Sequence, residues 1–235
     1  MRLKRIISGM LGQLSEDGRA LRAEPGGFED PAGAVLIDTR KMVLNVGGGS
    51  KEIPIPDHYS GWNHLLLDVA PGLGVDLVKD ARELSDLPSG LFDAVYCSHN
   101  LEHYFRHEAR KVLAGFFYVL KDEGFVELRV PDMRAVLKRY VTQEMDIDDV
   151  LYTAAGGPIT VHDVIYGWGR QIEQSGQPWY AHKCGFTSKS LNKALSDAGF
   201  TSIYMTEVAL EIRVLAFKQE PSREVQALLG LIGGE

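Results

Sequence analysis

Short apolar runs alternate with longer amphipathic stretches along most of the chain. The apolar runs are short, which predicts buried β-strands rather than helices. The first five runs cover residues 41–46, 64–69, 75–78, 92–98 and 125–130. Because helical patterns separate several of them, the chain predicts a mainly parallel sheet with helices on both faces.

The amphipathic stretches predict helices at three places. One covers about Leu101–Leu120, a second follows Asp132 as its N-cap, and a third covers residues 190–200. Two further strands are predicted at 202–208 and 211–218, and a two-residue connection requires them to be antiparallel. The sequence therefore predicts an α/β fold with an open, mostly parallel sheet of seven strands.

Three segments lie outside this alternation. Residues 1–34 combine a helical pattern at 2–13 with a proline- and glycine-rich linker, so the compact domain is expected to span 35–220. We expect the N-terminal helix to dock on its own domain or a partner rather than lie on a membrane. Residues 142–186 form an insert that is too long for a plain connection. Residues 221–235 predict a terminal helix and tail.

Composition narrows the class of protein. Of 235 residues, 45% are apolar, and 32 acidic against 25 basic side chains give a net charge of −7. That sign of charge disfavours general binding to nucleic acids. Cys97 and Cys184 are the only cysteines, too few for a disulfide framework or a four-cysteine zinc site. Without a membrane-spanning run or a recognisable signal peptide, we expect a soluble, cytoplasmic protein.

Unusual residues follow three successive strands of the predicted sheet. Gly47, Gly48 and Gly49 follow the first strand, where missing side chains let a ligand approach the backbone. Asp68 ends the second strand and Asp80 follows the third, where carboxylates can accept ribose hydroxyls and an adenine amino group. A turn and two capping aspartates would explain each feature alone. The ordered set at one sheet edge favours a nucleoside-type ligand.

A dinucleotide-dependent dehydrogenase is the first alternative. Its fingerprint requires three spaced glycines that open a helix, whose N-terminus binds the pyrophosphate. Gly47 and Gly49 fit the first two positions, but Glu52 occupies the third. Pro54 and Pro56 also prevent a long helix from following. The sequence therefore offers a poor site for pyrophosphate.

Taken together, these residues resemble the class I S-adenosylmethionine-dependent methyltransferases. The motifs that carry the resemblance lie in order along residues 40–218: VLNVGGGS (43–50), LLLDV (65–69), VKDARELSDLP (78–88), FDAVYCSHNLEHY (92–104) and VLKDEGFVELRVPD (119–132). Gly61-Trp62 resembles an element of a bacterial subgroup whose first helix is shortened. The resemblance implies a Rossmann-like fold, S-adenosylmethionine as cofactor and methyl transfer as activity.

The resemblance also implies roles for individual residues. Asp68 would hold the ribose, Asp80 with Ala81 would face the adenine, and Ser98–His99 would line the pocket near the sulfonium. The backbone of the glycines would pack against the methionine part. The complete implied set for the cofactor is Asn45, Gly47, Gly48, Gly49, Asp68, Val69, Asp80, Ala81, Ser98, His99, Leu101 and His103.

Two positions depart from the family pattern. Asn45 stands where many members have an acidic residue, and Lys51 stands where a third glycine is common. The first departure removes a charge that helps to orient the amino acid end of the cofactor. Both keep open a catalytically silent relative that binds the cofactor or serves as a partner subunit.

Methyl transfer to a hydroxyl needs alignment, a dry cavity and a base. His99, at the end of the fourth strand, is the first candidate base, with a wall or capping residue as the alternative. His182, shortly before GFTSKSL (185–191), is the second candidate base or a substrate contact. His103 and His107 are four apart on one helix face, but no third ligand is evident, so no metal site is expected.

The insert is rich in aromatic side chains. Its candidate substrate-binding residues are Tyr166, Trp168, Trp179, Tyr180 and His182. They could form a lid that stacks on an acceptor and excludes water, or a small satellite core under a long loop. Cys184 lacks an evident base as partner, so ordinary packing is expected.

The sequence thus predicts an S-adenosylmethionine-dependent methyltransferase that acts on a small-molecule or saccharide acceptor, with oxygen as the expected acceptor atom. The segment RVPD (129–132) follows the fifth strand, where amino-directed DNA enzymes have an asparagine-proline-proline-type loop. A silent relative and an NAD-dependent oxidoreductase are the alternatives. The oligomeric state, including a homodimer, is left open.

Overall fold

The computed structural model describes residues 28–29, 35–36, 40–154 and 156–232. The chain divides into two compact units, Met1–Lys41 and Met42–Glu235. In the first unit, strands β1 (Phe28–Glu29) and β2 (Val35–Leu36) pair in antiparallel fashion. Strand β1 lies within the segment that the sequence assigned to a linker, and the predicted helix at 2–13 lies outside the described residues.

The larger unit is built on one seven-stranded sheet. Its strands, together with those of one hairpin, are β3 (Met42–Val46), β4 (Asn63–Asp68), β5 (Leu77–Val78), β6 (Phe92–Ser98), β7 (Leu120–Pro131), β8 (Val150–Ala154), β9 (Gly157–Thr160), β10 (Ser202–Val208) and β11 (Glu211–Phe217). The sheet order is β10-β11-β7-β6-β3-β4-β5. Only β11 runs against its neighbours, as the tight turn before it required. The predicted fold class is confirmed.

The helices flank and cap this sheet. Their bounds are α1 (Arg106–Val119), α2 (Met133–Thr142), α3 (Val161–Tyr166), α4 (Gly169–Ser175), α5 (Ser188–Asp197) and α6 (Arg223–Leu228). Asp132 caps α2, because its side chain accepts a hydrogen bond from the backbone N–H of Arg134. Within the described residues, no helix is long and apolar enough to cross a membrane.

The core follows directly from the apolar runs. Strand β3 lies inside the sheet between β6 and β4, and its residues 43–46 are buried. Burying each of its apolar side chains contributes about 1.5–3 kcal/mol, which explains the largely apolar sequence of the inner strands. On one face, Val225 and Leu229 from the end of the chain pack against the cluster that contains Phe125. The predicted terminal helix is therefore present as α6.

The order of the strands reverses beside β3. The chain proceeds from β3 to β4 and β5 on one side, then returns to β6 on the other side. Such a reversal opens a crevice at the carboxyl ends of the two central strands, where open α/β sheets bind their ligands. Residues 47–49 follow β3 and residues 98–100 end or follow β6, so both segments lie at this crevice.

The insert folds into small elements of its own. Strands β8 and β9 form an antiparallel hairpin, and α3 and α4 follow it. Leu151, Val161 and Val164 are buried with Val136 of α2 in a separate apolar cluster. Part of the insert therefore forms the satellite core that the sequence left open as an alternative.

Candidate active site

A cavity of about 490 Å³ opens at the reversal point of the sheet. That volume is within the usual range for a small-molecule site, roughly 300–1,000 Å³. It is lined by residues at the strand ends, in the turn after β6 and at the end of the insert, together with Arg82 and Glu108. The sequence-predicted residues in its wall include Gly47, Gly49, Asp68, Asp80, His99 and His103.

The glycine loop is shaped by close packing beneath it. Gly47 has a φ of 71°, and a Cβ there would lie 2.1 Å from Nδ2 of Asn100. A Cβ on Gly48 would lie 2.4 Å from Nδ2 of Asn45. Asn45 is only 2% exposed and supports the loop from below instead of lining the cavity. The two asparagines thus leave little room for a side chain at these positions, and the loop brings bare backbone to the cavity.

Asp68 joins the glycine loop to the end of β4. One of its carboxylate oxygens accepts from the N–H of Gly49 at 3.1 Å, and the other accepts from the N–H of Ala70 at 3.0 Å. Each carboxylate oxygen has two lone pairs, so acceptor capacity remains on the cavity side. This arrangement fits a pair of ribose hydroxyls.

Asp80 both caps a helical turn and lines the cavity. Its side chain accepts from the backbone N–H of Arg82 and so caps the 3₁₀ turn at 81–86. The same carboxylate also pairs with the Arg82 guanidinium. Burial alone would raise the pKa of Asp80, but the hydrogen bonds and charge of Arg82 lower it. Arg82 in turn contacts Glu108. Asp80 thus caps a turn, as the sequence allowed, and it also faces the cavity.

His99 lies between two carboxylates. Its Nε2 lies 2.7 Å from Glu211 and its Nδ1 lies 3.5 Å from Glu102. Its φ of 49° is in the left-handed region, which is rare for a residue with a side chain and is found at functional sites. Burial would lower the pKa of His99, but Glu102 and Glu211 outweigh burial and raise it to about 9.

The raised pKa changes the assignment of the base. A histidine with a pKa of about 9 is protonated at neutral pH and donates hydrogen bonds instead of accepting a proton. Our first candidate base, His99, is therefore better suited to position other groups. Glu211 is its partner because β11 runs antiparallel, which brings the first residue of that strand to the carboxyl edge of the sheet.

Comparison with known proteins relates part of the chain to a family. Residues 64–128 match a family model described as a methyltransferase domain. The matched segment contains Asp68, Asp80 and His99, which line the cavity. With the fold and the site geometry, the match supports an S-adenosylmethionine-dependent enzyme of class I, as the sequence motifs implied.

A solved structure shares the fold. A protein from Pyrococcus horikoshii aligns over 77% of this chain and 84% of its own, with 16% identity and a TM-score of 0.51. An S-adenosylmethionine-dependent methyltransferase from Archaeoglobus fulgidus aligns over 76% and 86% of the two chains, with 13% identity and a TM-score of 0.49. No curated protein matches the sequence significantly.

The residues of the methyltransferase fit S-adenosylmethionine as its cofactor. A bare glycine backbone, a carboxylate with spare acceptor capacity at Asp68 and a cavity of about 490 Å³ meet at one edge. Val69 also lines this cavity. Five residues that the resemblance implied for the cofactor do not line it: Asn45, Gly48, Ala81, Ser98 and Leu101.

The structure adds residues to the site that the sequence did not single out. They include Arg82, Asn100, Tyr104 and Glu108. Arg82, Asn100 and Tyr104 belong to the quoted motifs at 78–88 and 92–104, so those motifs could have identified them. Glu108 reaches the cavity only because separate elements pack together, which no local pattern shows. Lys183, which the sequence placed with His182 near the cofactor, lines the cavity.

The end of the insert reaches the cavity of the methyltransferase. Trp179 and Tyr180 line it, whereas Tyr166 and Trp168 lie elsewhere on the insert and are partly exposed. Gly167 pairs with Ala181, and a Cβ on Gly167 would lie 2.2 Å from the carbonyl oxygen of Tyr180. This close contact sets the course of residues 179–182.

His182 does not line the cavity but packs behind it. The rings of His182 and His103 lie 4.7 Å apart at 75°. The carbonyl oxygen of Glu102 accepts from the N–H groups of Lys183 and Cys184, which fixes the end of the insert to the turn at 101–103. Burial raises the pKa of the Cys184 thiol to about 11, in keeping with ordinary packing.

Proposed function

We propose that the methyltransferase transfers a methyl group to a hydroxyl oxygen of a small-molecule or saccharide acceptor. The observation that carries the proposal is that Trp179 and Tyr180 line the same cavity as Asp68 and the glycine loop. An acceptor can thus stack on aromatic side chains while it faces the cofactor region. Amphipathic aromatic rings suit the apolar faces of sugar rings and small aromatic compounds.

We assign the cofactor to the carboxyl edge of the sheet. Asp68 holds the ribose hydroxyls, Asp80 faces the adenine, and the loop Gly47–Gly49 borders the methionine part. When bound, S-adenosylmethionine supplies a methyl group already activated by its sulfonium. The protein then needs to align the acceptor and to exclude water.

The acceptor proton leaves through the histidines beside the cavity. His99 is held as a donor between Glu102 and Glu211, so we assign it to positioning. His182 donates its Nδ1–H to the carbonyl oxygen of Val164 at 2.8 Å, which leaves a lone pair on Nε2. Because His182 lies behind the cavity wall, we assign it to receive the proton through His103, which lines the cavity and whose ring lies 4.7 Å away.

Calorimetry on the full chain tests the cofactor assignment. We expect S-adenosylhomocysteine and S-adenosylmethionine to bind and NAD to give no heat. Asp68→Ala should weaken S-adenosylhomocysteine by about tenfold or more, because a buried polar group left unpaired costs about 1–3 kcal/mol. Asp57→Ala, on the 3₁₀ turn at 57–59 and absent from the cavity wall, is the matched control. Preference for NAD would reinstate the oxidoreductase.

An acceptor screen tests the reaction. The protein is incubated with S-adenosylmethionine and a panel of saccharides, phenols and amines, and the products are read by mass spectrometry for one added methyl group. We expect products only from hydroxyl acceptors, and Trp179→Ala should raise KM more than it lowers kcat. Methylation confined to amines would overturn the choice of oxygen, and cofactor binding without any turnover would favour the silent relative.

A further inference from the structure

We propose that Glu102, His103 and His182 form a binding site for a divalent transition-metal ion of the zinc class. One potential ligand atom from each of the three residues lies within 4.8 Å of those of the other two. No local pattern indicated such a site, because Glu102 and His182 are far apart in the chain. The only spacing considered was that of His103 and His107, four residues apart on one helix, and it led us to expect no metal site.

Glu102 has only a weak partner for its buried carboxylate, because Nδ1 of His99 lies 3.5 Å from one of its oxygens. The residue is 1% exposed, and neither carboxylate oxygen makes a hydrogen bond of good geometry. A buried carboxylate with so weak a partner is costly unless a further cation compensates it. His99 is the nearest cationic side chain, but its Nδ1 lies 3.5 Å away and its Nε2 is closer to Glu211. The carboxylate therefore retains most of its capacity to bind a cation.

The two imidazoles are held as metal-binding histidines usually are. Nδ1 of His103 lies 3.2 Å from the carbonyl oxygen of Ala181, and Nδ1 of His182 lies 2.8 Å from that of Val164. A backbone carbonyl that accepts from Nδ1–H fixes the tautomer and leaves Nε2 with a lone pair. Metal-binding histidines commonly donate their other N–H to a carbonyl or carboxylate in this way.

The donor set selects the class of ion. Two imidazole nitrogens and one carboxylate oxygen suit Zn²⁺, Co²⁺ or Fe²⁺ rather than Mg²⁺ or Ca²⁺, which prefer oxygen ligands. Ligand atoms around a tetrahedral ion lie about 3.4 Å apart, given bonds of about 2.0–2.2 Å. Binding must therefore draw the three residues somewhat closer than they are here.

The location of the site connects it to the reaction, and this step rests on the proposed function. His103 lines the cavity, so a fourth position of the ion can face an acceptor. A metal ion with three protein ligands and one open position lowers the pKa of a bound hydroxyl or water. In the metal-bound enzyme, His182 would thus act through the ion rather than as a free base.

Metal titration of the full-length, tag-free protein tests the site. After treatment with a chelator, Zn²⁺ is titrated by calorimetry and Co²⁺ by absorption spectroscopy. We expect one equivalent to bind, with the intense visible bands of tetrahedral Co²⁺. Glu102→Gln, His103→Gln and His182→Gln should each weaken Zn²⁺ binding at least tenfold, with circular dichroism used to confirm folding.

Two exposed histidines provide matched controls. His107→Gln, on α1, and His162→Gln, on α3, should leave both stoichiometry and affinity unchanged. The proposal is overturned if the wild-type protein binds no Zn²⁺, if either control removes the bound equivalent, or if His182→Gln and His103→Gln bind as tightly as wild type. In these outcomes, His99 and the neighbouring histidines only compensate the charge of Glu102.

The failure of this site and that of the proposed function are distinguishable. S-adenosylhomocysteine binding depends on Asp68 and is measured in the presence of a chelator, whereas Zn²⁺ binding is measured without any cofactor. If the wild-type protein binds S-adenosylhomocysteine but no Zn²⁺, only the metal site is overturned. If Zn²⁺ binds but no acceptor is methylated, the metal site stands and the proposed reaction fails.

Discussion

At the scale of single residues, the loop after β3 shows how strictly packing limits the sequence. Asn100 lies directly where a side chain on Gly47 would be, and the backbone there has a φ of 71°. Steric exclusion and backbone conformation thus both require glycine. The sequence pattern indicated a close approach to a ligand at this place, and the structure shows that the partly buried Asn100 adds a second reason.

Gly47→Ala should lower both stability and cofactor affinity. The left-handed backbone costs roughly 1–2 kcal/mol for a residue with a Cβ, and the contact with Asn100 adds displacement of the loop. Gly90→Ala is the control, since its φ is 64° but nothing lies within 4 Å of the added Cβ. Urea unfolding and calorimetry with S-adenosylhomocysteine should show lower stability for both variants and weaker binding for Gly47→Ala alone. Equal affinities would contradict a role of this loop in binding.

At the scale of elements, a buried carboxylate joins the 3₁₀ turn at 57–59 to the sheet. Glu127 of β7 accepts from Tyr59 at 3.1 Å, contacts Nε2 of His58 at 3.0 Å and pairs with Arg129 at 2.9 Å. Burial would raise the pKa of Glu127, but His58 and Arg129 outweigh it and lower it. The carboxylate is thus more stable ionised in the folded chain than in the unfolded one.

Glu127→Gln should therefore change the pH dependence of stability. A lowered pKa contributes stability that is present above the unfolded value of about 4.3 and is lost as the pH falls through the folded value. We expect the variant to be about 1–3 kcal/mol less stable at pH 7, with a difference that shrinks towards pH 3. Urea unfolding from pH 3 to 7 measures it, with the exposed Glu123→Gln of the same strand as control. If the difference in the free energy of unfolding does not change with pH, the packing of the Glu127 side chain matters and its charge does not.

The end of the insert depends on one glycine contact between its own segments. A Cβ on Gly167, at a φ of 99°, would meet the carbonyl oxygen of Tyr180. Gly167→Ala should thus displace residues 180–182 and weaken both Zn²⁺ binding and methyl transfer. Gly176→Ala, with a φ of 66° and open space around the Cβ, should keep both. Metal titration and the methylation assay compare the two variants. If Gly176→Ala loses as much Zn²⁺ binding and methyl transfer as Gly167→Ala, the effect is a general destabilisation of the insert.

At the scale of the whole molecule, cofactor binding should be visible in thermal unfolding. A ligand at about 100 times its Kd stabilises a folded protein by about 2.7 kcal/mol, which shifts Tm by roughly 5–10 °C for a domain of this size. We expect this shift with S-adenosylhomocysteine and none with NAD. Asp68→Ala should remove most of it. A full shift in that variant would place the ribose elsewhere.

Much of the architecture is encoded locally. Apolar runs, helical spacing and the capping residue Asp132 depend on neighbours in sequence, so they predicted the seven strands and the principal helices. The position of the ligand site at the carboxyl edge of the sheet was also predictable, because parallel strands bring their carboxyl ends to the same side. The acceptor, a cytoplasmic location and a homodimer remain predictions.

The sequence by itself determined the order of the elements and the position of Asp68, Asp80 and the glycine loop at one edge. Only the tertiary structure decided what surrounds His99. Glu211 reaches it across 112 positions because β11 runs antiparallel, and the end of the insert brings His182 beside His103 and Glu102. Periodicity reports which face of an element is buried, but contacts between distant segments depend on packing that no local pattern contains.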